Sequence, residues 1–154
     1  MIKTSVADRL LLLCIMAGLA LSVYSALETF LPGLEDACSP NSTISCRIVN
    51  ESPYSHIGPL PVWTFGVGGF VFLLALDVLF LRTREARWLT YLFMLAGVGL
   101  VISVVLTLVE IFLIGAICPV CVASYVADRG VFLVAWRIRS GMSERRKGVG
   151  VGVE

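Results

Sequence analysis

Four apolar stretches constrain this chain more than anything else in it. They run over about residues 10–27, 59–81, 88–115 and 119–136, joined by one long polar loop and two short links. An α-helix rises about 1.5 Å per residue, so each stretch is long enough to cross roughly 30 Å of hydrocarbon. Lipid offers no partners to backbone amides, so an open span of this kind is helical. The expected fold class is therefore all-α: an integral membrane four-helix transmembrane bundle with a capping extracytoplasmic loop. Composition agrees. Hydrophobic residues make up 58% and charged residues 15%, against about 25% charged in a soluble domain. A net charge of +1 gives no reason to expect nucleic acid as a partner.

The first stretch has a rival reading. Lys3 and Arg9 resemble the basic region of a signal peptide, and Val23-Tyr24-Ser25 loosely resembles a cleavage site. The apolar core is long for that role and Tyr24 falls inside the site, so a retained span is expected. One domain then covers residues 1–139, with a loop over 28–58. A polar Gly/Val tail over 140–154 is expected to be flexible and cytoplasmic. Within the loop, Phe30, Leu31 and Leu34 stand against Glu28 and Glu35, the pattern of a short amphipathic turn at the interface.

Charge sets the orientation. Lys3, Arg9, Arg82, Arg84, Arg87, Arg137, Arg139, Arg145, Arg146 and Lys147 fall on one side of a four-span path. Arg47 lies in a loop on the other side, and Arg129 lies within a span. By the positive-inside rule both termini are cytoplasmic. The 28–58 loop and the link before residue 119 then face the opposite, oxidising side.

Five cysteines fall into two groups. Cys38, Cys46, Cys118 and Cys121 share the loop side. Cys14 lies about 20 Å deeper along its helix, too far for a disulfide that needs alpha-carbons within about 7 Å. It reads as a small buried apolar residue. Ile117-Cys118-Pro119-Val120-Cys121 restarts an apolar run. With Pro119 in the first turn, Cys118 falls at the N-cap and Cys121 one turn in. The free amides and positive dipole of that helix end favour a thiolate.

Four thiols on one side admit three readings. They form a redox relay, a set of structural disulfides in a non-catalytic tetraspan scaffold, or a zinc site. Zinc sites commonly use two short-spaced pairs, and seven residues separate Cys38 from Cys46. Thiol–disulfide exchange passes two electrons per step through a mixed disulfide. A loop pair on a mobile segment, Asn41-Ser42-Thr43-Ile44-Ser45, is suited to face a soluble dithiol and then swing onto the fixed pair. The fixed pair then needs an acceptor dissolved in the membrane, for which a quinone is the natural candidate. No metal is expected.

Several polar and aromatic residues accompany the cysteines. Glu110 lies near the outer end of the third span, at the depth of Cys121. An intramembrane carboxylate is costly and a functional candidate, here as a proton source for the quinone or a partner for a neighbouring helix. Asp128 reads as a hydrogen-bonding group inside the bundle and Asp77 as an interfacial one. His56 is the sole histidine, either a solvated loop residue or a donor to substrate. Trp63 and Phe112 are candidates to line a quinone pocket, with bundle packing the plainer reading, as for Phe65 and Phe72.

The ordered set resembles the vitamin K epoxide reductase family, including its bacterial and archaeal members. The resemblance covers about residues 8–139. It rests on Cys38 and Cys46, on Ser52 six residues further, on Ser-Pro-Tyr-Ser leading into Gly58-Pro59-Leu60-Pro61, and on Cys118-Pro-Val-Cys121 with Tyr125 four residues on. It implies a membrane thiol:quinone oxidoreductase that supports disulfide formation, with ubiquinone, menaquinone or a vitamin K-type quinone as acceptor. It implies that Cys121 stands beside the quinone and that Cys118 exchanges with Cys46. Cys38 would meet the partner, Tyr125 would point its hydroxyl at a quinone oxygen, and Ser52 would support the loop. Two departures sharpen this. The vertebrate-type asparagine before span two is missing from Tyr54-Ser55-His56, which favours plain quinone reduction over epoxide reduction. A fused thioredoxin-like domain is not expected, and the expected partner is a separate thioredoxin-like or DsbA-like protein.

Overall fold

The computed structural model describes residues 5–31 and 33–150. Lys3 and residues 151–154 of the tail lie outside the described residues, as do the side chains of Glu35, Arg145, Arg146 and Lys147.

Four long helices carry the fold. The first, α1, spans Val6–Phe30. It starts on a capping box: Asp8 N–H donates to Ser5 Oγ at 3.2 Å, and Ser5 N–H donates to Asp8 Oδ2 at 2.9 Å. Two orphan amides are thereby satisfied at the helix start. Two short helices follow, α2 (Leu34–Ala37) and α3 (Cys46–Asn50). A single 3-10 turn at Pro53–Ser55 leads into a two-residue hairpin, β1 (His56–Ile57) on β2 (Leu60–Pro61), closed around Gly58 at φ 65°. The second span is α4 (Val62–Thr83) and the third α5 (Ala86–Val109). The helix α5 widens into one π-turn, Glu110–Ile114, which Gly115 ends at φ 72° with its N–H on Glu110 O at 2.9 Å. A residue without a Cβ suits that left-handed position. The fourth span, α6, begins at Pro119, the position where a missing N–H costs nothing.

These helices form a closed ring. Helix α1 packs against α4 and α6, and α5 packs against the same two. All four are long and apolar enough to cross a membrane. The core contains Leu11, Ile15, Leu73, Phe80, Leu92 and Val131. The outer faces are just as apolar, with Phe72, Met94, Val101, Val105 and Phe112 exposed. A helix that is hydrophobic all round is a lipid-facing one. Because lipid is as apolar as leucine, association depends on close packing through small residues. Gly18 of α1 faces the Phe70 ring of α4 so closely that a Cβ there would overlap it, and Gly66 of α4 faces Ser22 of α1.

The two ends of the bundle differ. The start of α1 and the α4–α5 turn share one end, where Arg84 Nη1 meets Asp8 Oδ2 at 2.7 Å. The other end carries α2, α3, the hairpin and the start of α6. All four members of the two cysteine pairs lie there.

Three features differ from the sequence reading. Asp77, expected at the interface, is fully buried in α4. Its helix end is covered by α1, whose Asp8 takes Arg84. Helix α6 continues to Gly150, so residues 140–150 are helical. Ser-Glu-Arg-Arg-Lys contains good helix formers and no proline to stop it. The segment 41–45, expected to be mobile, is held by backbone bonds described next.

Candidate redox site

The site begins with how the chain holds its loop. Asn41 Oδ1 accepts from Thr43 N–H at 3.0 Å and Ile44 N–H at 2.8 Å, an Asx turn that reverses the chain. The next residues then run beside the segment before α6. Ile117 N–H donates to Thr43 O at 2.9 Å and Ser45 N–H donates to Ile117 O at 3.1 Å. Ile44 and Ile117 form an isolated parallel bridge. Ser45 also caps α3, its Oγ accepting from Ile48 N–H at 3.2 Å and bonding Ser39 Oγ at 3.0 Å. Cys46, the first residue of α3, is thereby fixed against the residue that precedes Cys118.

The sulfurs follow from that placement. Cys38 and Cys46 form a disulfide with alpha-carbons 5.5 Å apart. Cys118 and Cys121 are free thiols. Cys46 Sγ lies 3.3 Å from Cys118 Sγ, and both residues are completely buried. Cys118 sits at the N-cap of α6, where its sulfur accepts from the Cys121 N–H at 3.2 Å. This is the cap expected from the sequence, with sulfur in the role usually taken by a hydroxyl or carboxylate oxygen.

Glu110 joins the same cluster. It is 4% exposed. Its Oε2 accepts from Cys118 N–H at 3.0 Å, and its carboxyl stands beside the Cys121 side chain. The π-turn makes this possible, because it carries the chain around Gly115 and back so that the next helix starts over the carboxyl. Cys118, Cys121 and Glu110 are thus one hydrogen-bonded group at the end of two helices.

The remaining candidates are more scattered. Ser52 is half-buried and donates to Val49 O at 2.8 Å, closing the end of α3. His56 is exposed and its Nδ1 lies 2.8 Å from Ser55 Oγ. Trp63 packs edge-on against Phe30 with ring centroids 5.9 Å apart, and its Nε1 is buried without a partner. Phe112 projects outward and is 77% exposed. Tyr125 is half-buried one turn below Cys121 on α6. An open apolar recess of about 430 Å³ lies on another side, lined by Leu21, Tyr24, Ala37, Cys38, Pro40, Pro119 and Val120.

Glu28 was not singled out in the sequence and belongs here. It is 1% exposed, and its carboxylate and the sulfurs of Cys38 and Cys46 all lie within 4.8 Å of one another. Such a trio has the residue types of a metal site. In the disulfide state, however, neither sulfur is the thiolate that ligation requires. The sequence signal was its place, an acidic residue on the last turn of an apolar span.

A loop disulfide set against a thiol pair at a helix end, within a four-helix membrane bundle, defines a membrane thiol oxidoreductase. Residues 9–136 match the model of the vitamin K epoxide reductase family, and the chain belongs to that family. No curated protein matches the chain.

Proposed function

We propose that the protein oxidises the dithiol of an extracytoplasmic thioredoxin-like or DsbA-like partner and reduces a membrane quinone. The observation that carries this reading is the 3.3 Å approach of Cys46 Sγ to Cys118 Sγ. That separation is within attack distance for exchange between the pairs, with no swing of the loop required.

The electrons move in pairs. A partner thiolate attacks Cys38, and Cys46 leaves. The second partner thiol resolves the mixed disulfide, so the partner becomes a disulfide and the loop a dithiol. The Cys46 thiolate next attacks Cys118 of an oxidised Cys118–Cys121 pair, and Cys121 leaves. Cys38 then attacks Cys46, releasing Cys118 and restoring the loop disulfide. The described arrangement, with the loop oxidised and Cys118 and Cys121 reduced, corresponds to the moment before the quinone. The quinone takes two electrons and two protons, and the Cys118–Cys121 disulfide re-forms. In the reduced pair the Cys121 N–H donates to the Cys118 sulfur at 3.2 Å and orients it.

Glu110 is the proton source beside Cys121, on the support of its burial and its hydrogen bond from the Cys118 amide. Tyr125 orients the quinone from one turn below. Trp63 and Phe112 bound its apolar slot, with lipid access on the Phe112 side. Ser52 holds the end of α3, and His56 stands at the rim of the cap. The recess beside Cys38 is the approach of the partner. Both termini are cytoplasmic in this reading, and the cysteine end faces the oxidising side.

The test is anaerobic reduction of a soluble quinone by a dithiol-driven, purified full chain. Each of Cys38, Cys46, Cys118 and Cys121 is replaced by alanine in turn. Loss of turnover in every variant is expected. Turnover that survives without Cys118 or Cys121 overturns the relay.

A further inference from the structure

Reduction of the loop turns a buried disulfide into two adjacent thiols beside a buried carboxylate. The Glu28 carboxylate and the sulfurs of Cys38 and Cys46 lie within 4.8 Å of one another. All three residues are buried, with Glu28 at 1%, Cys46 at 0% and Cys38 at 8% exposure. Zinc holds sulfur at about 2.3 Å and carboxylate oxygen at about 2.0–2.2 Å, so its ligand atoms stand roughly 3.5–3.8 Å from one another. The trio already has that scale.

Several bonds hold the two loop cysteines together independently of the sulfur–sulfur bond. Cys46 N–H donates to Cys38 O at 3.4 Å. Ser39, next to Cys38, reaches both neighbours of Cys46: its Oγ bonds Ser45 Oγ at 3.0 Å and accepts the Arg47 N–H at 3.2 Å. Asn50 Nδ2 donates to Glu28 Oε2 at 3.5 Å, the kind of outer contact that orients a ligating carboxylate. Three protein ligands leave one place on a tetrahedral ion. The Cys118 sulfur, 3.3 Å from that of Cys46, is a further donor beside them.

We infer that the reduced loop is a binding site for a thiophilic divalent cation of the zinc or cadmium kind, held by Cys38, Cys46 and Glu28. Two thiolates and one carboxylate select such ions over magnesium or calcium, which take oxygen ligands. Binding is not a redox step. Each cysteine thiol loses its proton to water as the metal–sulfur bond forms, and the ion keeps its charge. The oxidised loop has no thiolate to offer, so the site exists in one redox state only. Its consequence rests on the relay reading: with its sulfur on the ion, Cys46 is no longer a free nucleophile toward Cys118, and exchange stops.

The test uses the full chain with Cys121→Ala, which removes the helix pair as a competing dithiol. The loop is reduced with a phosphine, the phosphine is removed without air, and zinc is titrated against a chromophoric chelator. One zinc per reduced chain is expected, and none when the loop is left oxidised. Adding Glu28→Gln should weaken binding at least about tenfold, since even an outer-shell partner is worth about 10–100-fold. Adding Cys38→Ala should weaken it at least as much. X-ray absorption of the zinc-loaded chain, which needs no change at Glu28, should show a mixed shell of sulfur at about 2.3 Å and oxygen at about 2.0–2.2 Å. The inference is overturned by a reduced chain that takes up no stoichiometric zinc, by equal uptake in the oxidised chain, by an all-sulfur shell, or by affinity that survives Glu28→Gln or Cys38→Ala. No quinone is present, so failure here is separate from failure of the relay, which shows as quinone turnover without Cys118.

Discussion

The Cys46 sulfur lies 3.3 Å from the Cys118 sulfur while still bonded to Cys38. They are 72 positions apart in sequence. A bridge between Ile44 and Ile117, one residue before each cysteine's neighbour or the cysteine itself, sets the approach. Exchange between loop and helix pair then requires bond rearrangement and little motion of the chain.

A trapped intermediate is therefore expected. With Cys38→Ala and Cys121→Ala together, mild oxidation should join Cys46 to Cys118 in nearly every molecule. Peptide mapping under non-reducing conditions checks it. Predominance of any other linkage would count against the direct route.

Glu110 separates fold from chemistry. Glu110→Gln keeps an oxygen for the Cys118 amide and should leave thermal stability nearly unchanged. Quinone turnover should fall on the order of 10²-fold, the usual scale for losing a positioned proton donor. Glu110→Ala removes the acceptor as well and leaves a buried amide unsatisfied, which costs about 1–3 kcal/mol. Thermal melts in detergent beside turnover assays distinguish the two variants.

Ser45 links a helix cap to the redox geometry. Ser45→Ala removes the acceptor for the Ile48 amide and the bond to Ser39. A lost cap costs about 1 kcal/mol. Cys46 starts that same helix, so loop-to-helix exchange should slow more than the small stability loss implies. Single-turnover oxidation of the reduced loop by the Cys118–Cys121 disulfide reads it directly.

Gly18 tests the membrane packing. A Cβ at Gly18 overlaps the Phe70 ring, itself buried between α1 and α4. Gly18→Val should destabilise the bundle by about 1–3 kcal/mol, the cost of overpacking, and lower its melting temperature. Unchanged melting would mean that α1 and α4 pack less tightly than described.

The four spans were legible because lipid leaves a chain little freedom. A span must be long, apolar and helical, and each property is written residue by residue. The Pro119 start of α6 and the Cys118 cap were legible for the same local reason. The loop was read as mobile because its polar composition carries no sign of pairing. Its order comes from two backbone bonds, Ile117 N–H to Thr43 O and Ser45 N–H to Ile117 O, between strands distant in sequence, with the Asn41 side chain turning the chain into them. Glu110 was legible as a costly carboxylate at the right depth, but its grip on Cys118 depends on a π-turn that no residue pattern announced.

The sequence by itself determined the number of spans, the helix-end thiol pair and the family to which the chain belongs. Those follow from local hydrophobicity, helix-start chemistry and motif spacing. Tertiary structure alone decided that Cys46 faces Cys118, that Glu110 takes the Cys118 amide, and that Glu28 is buried against the loop disulfide. Each of these joins residues distant in sequence, and such contacts are set by how helices pack and where the chain turns back.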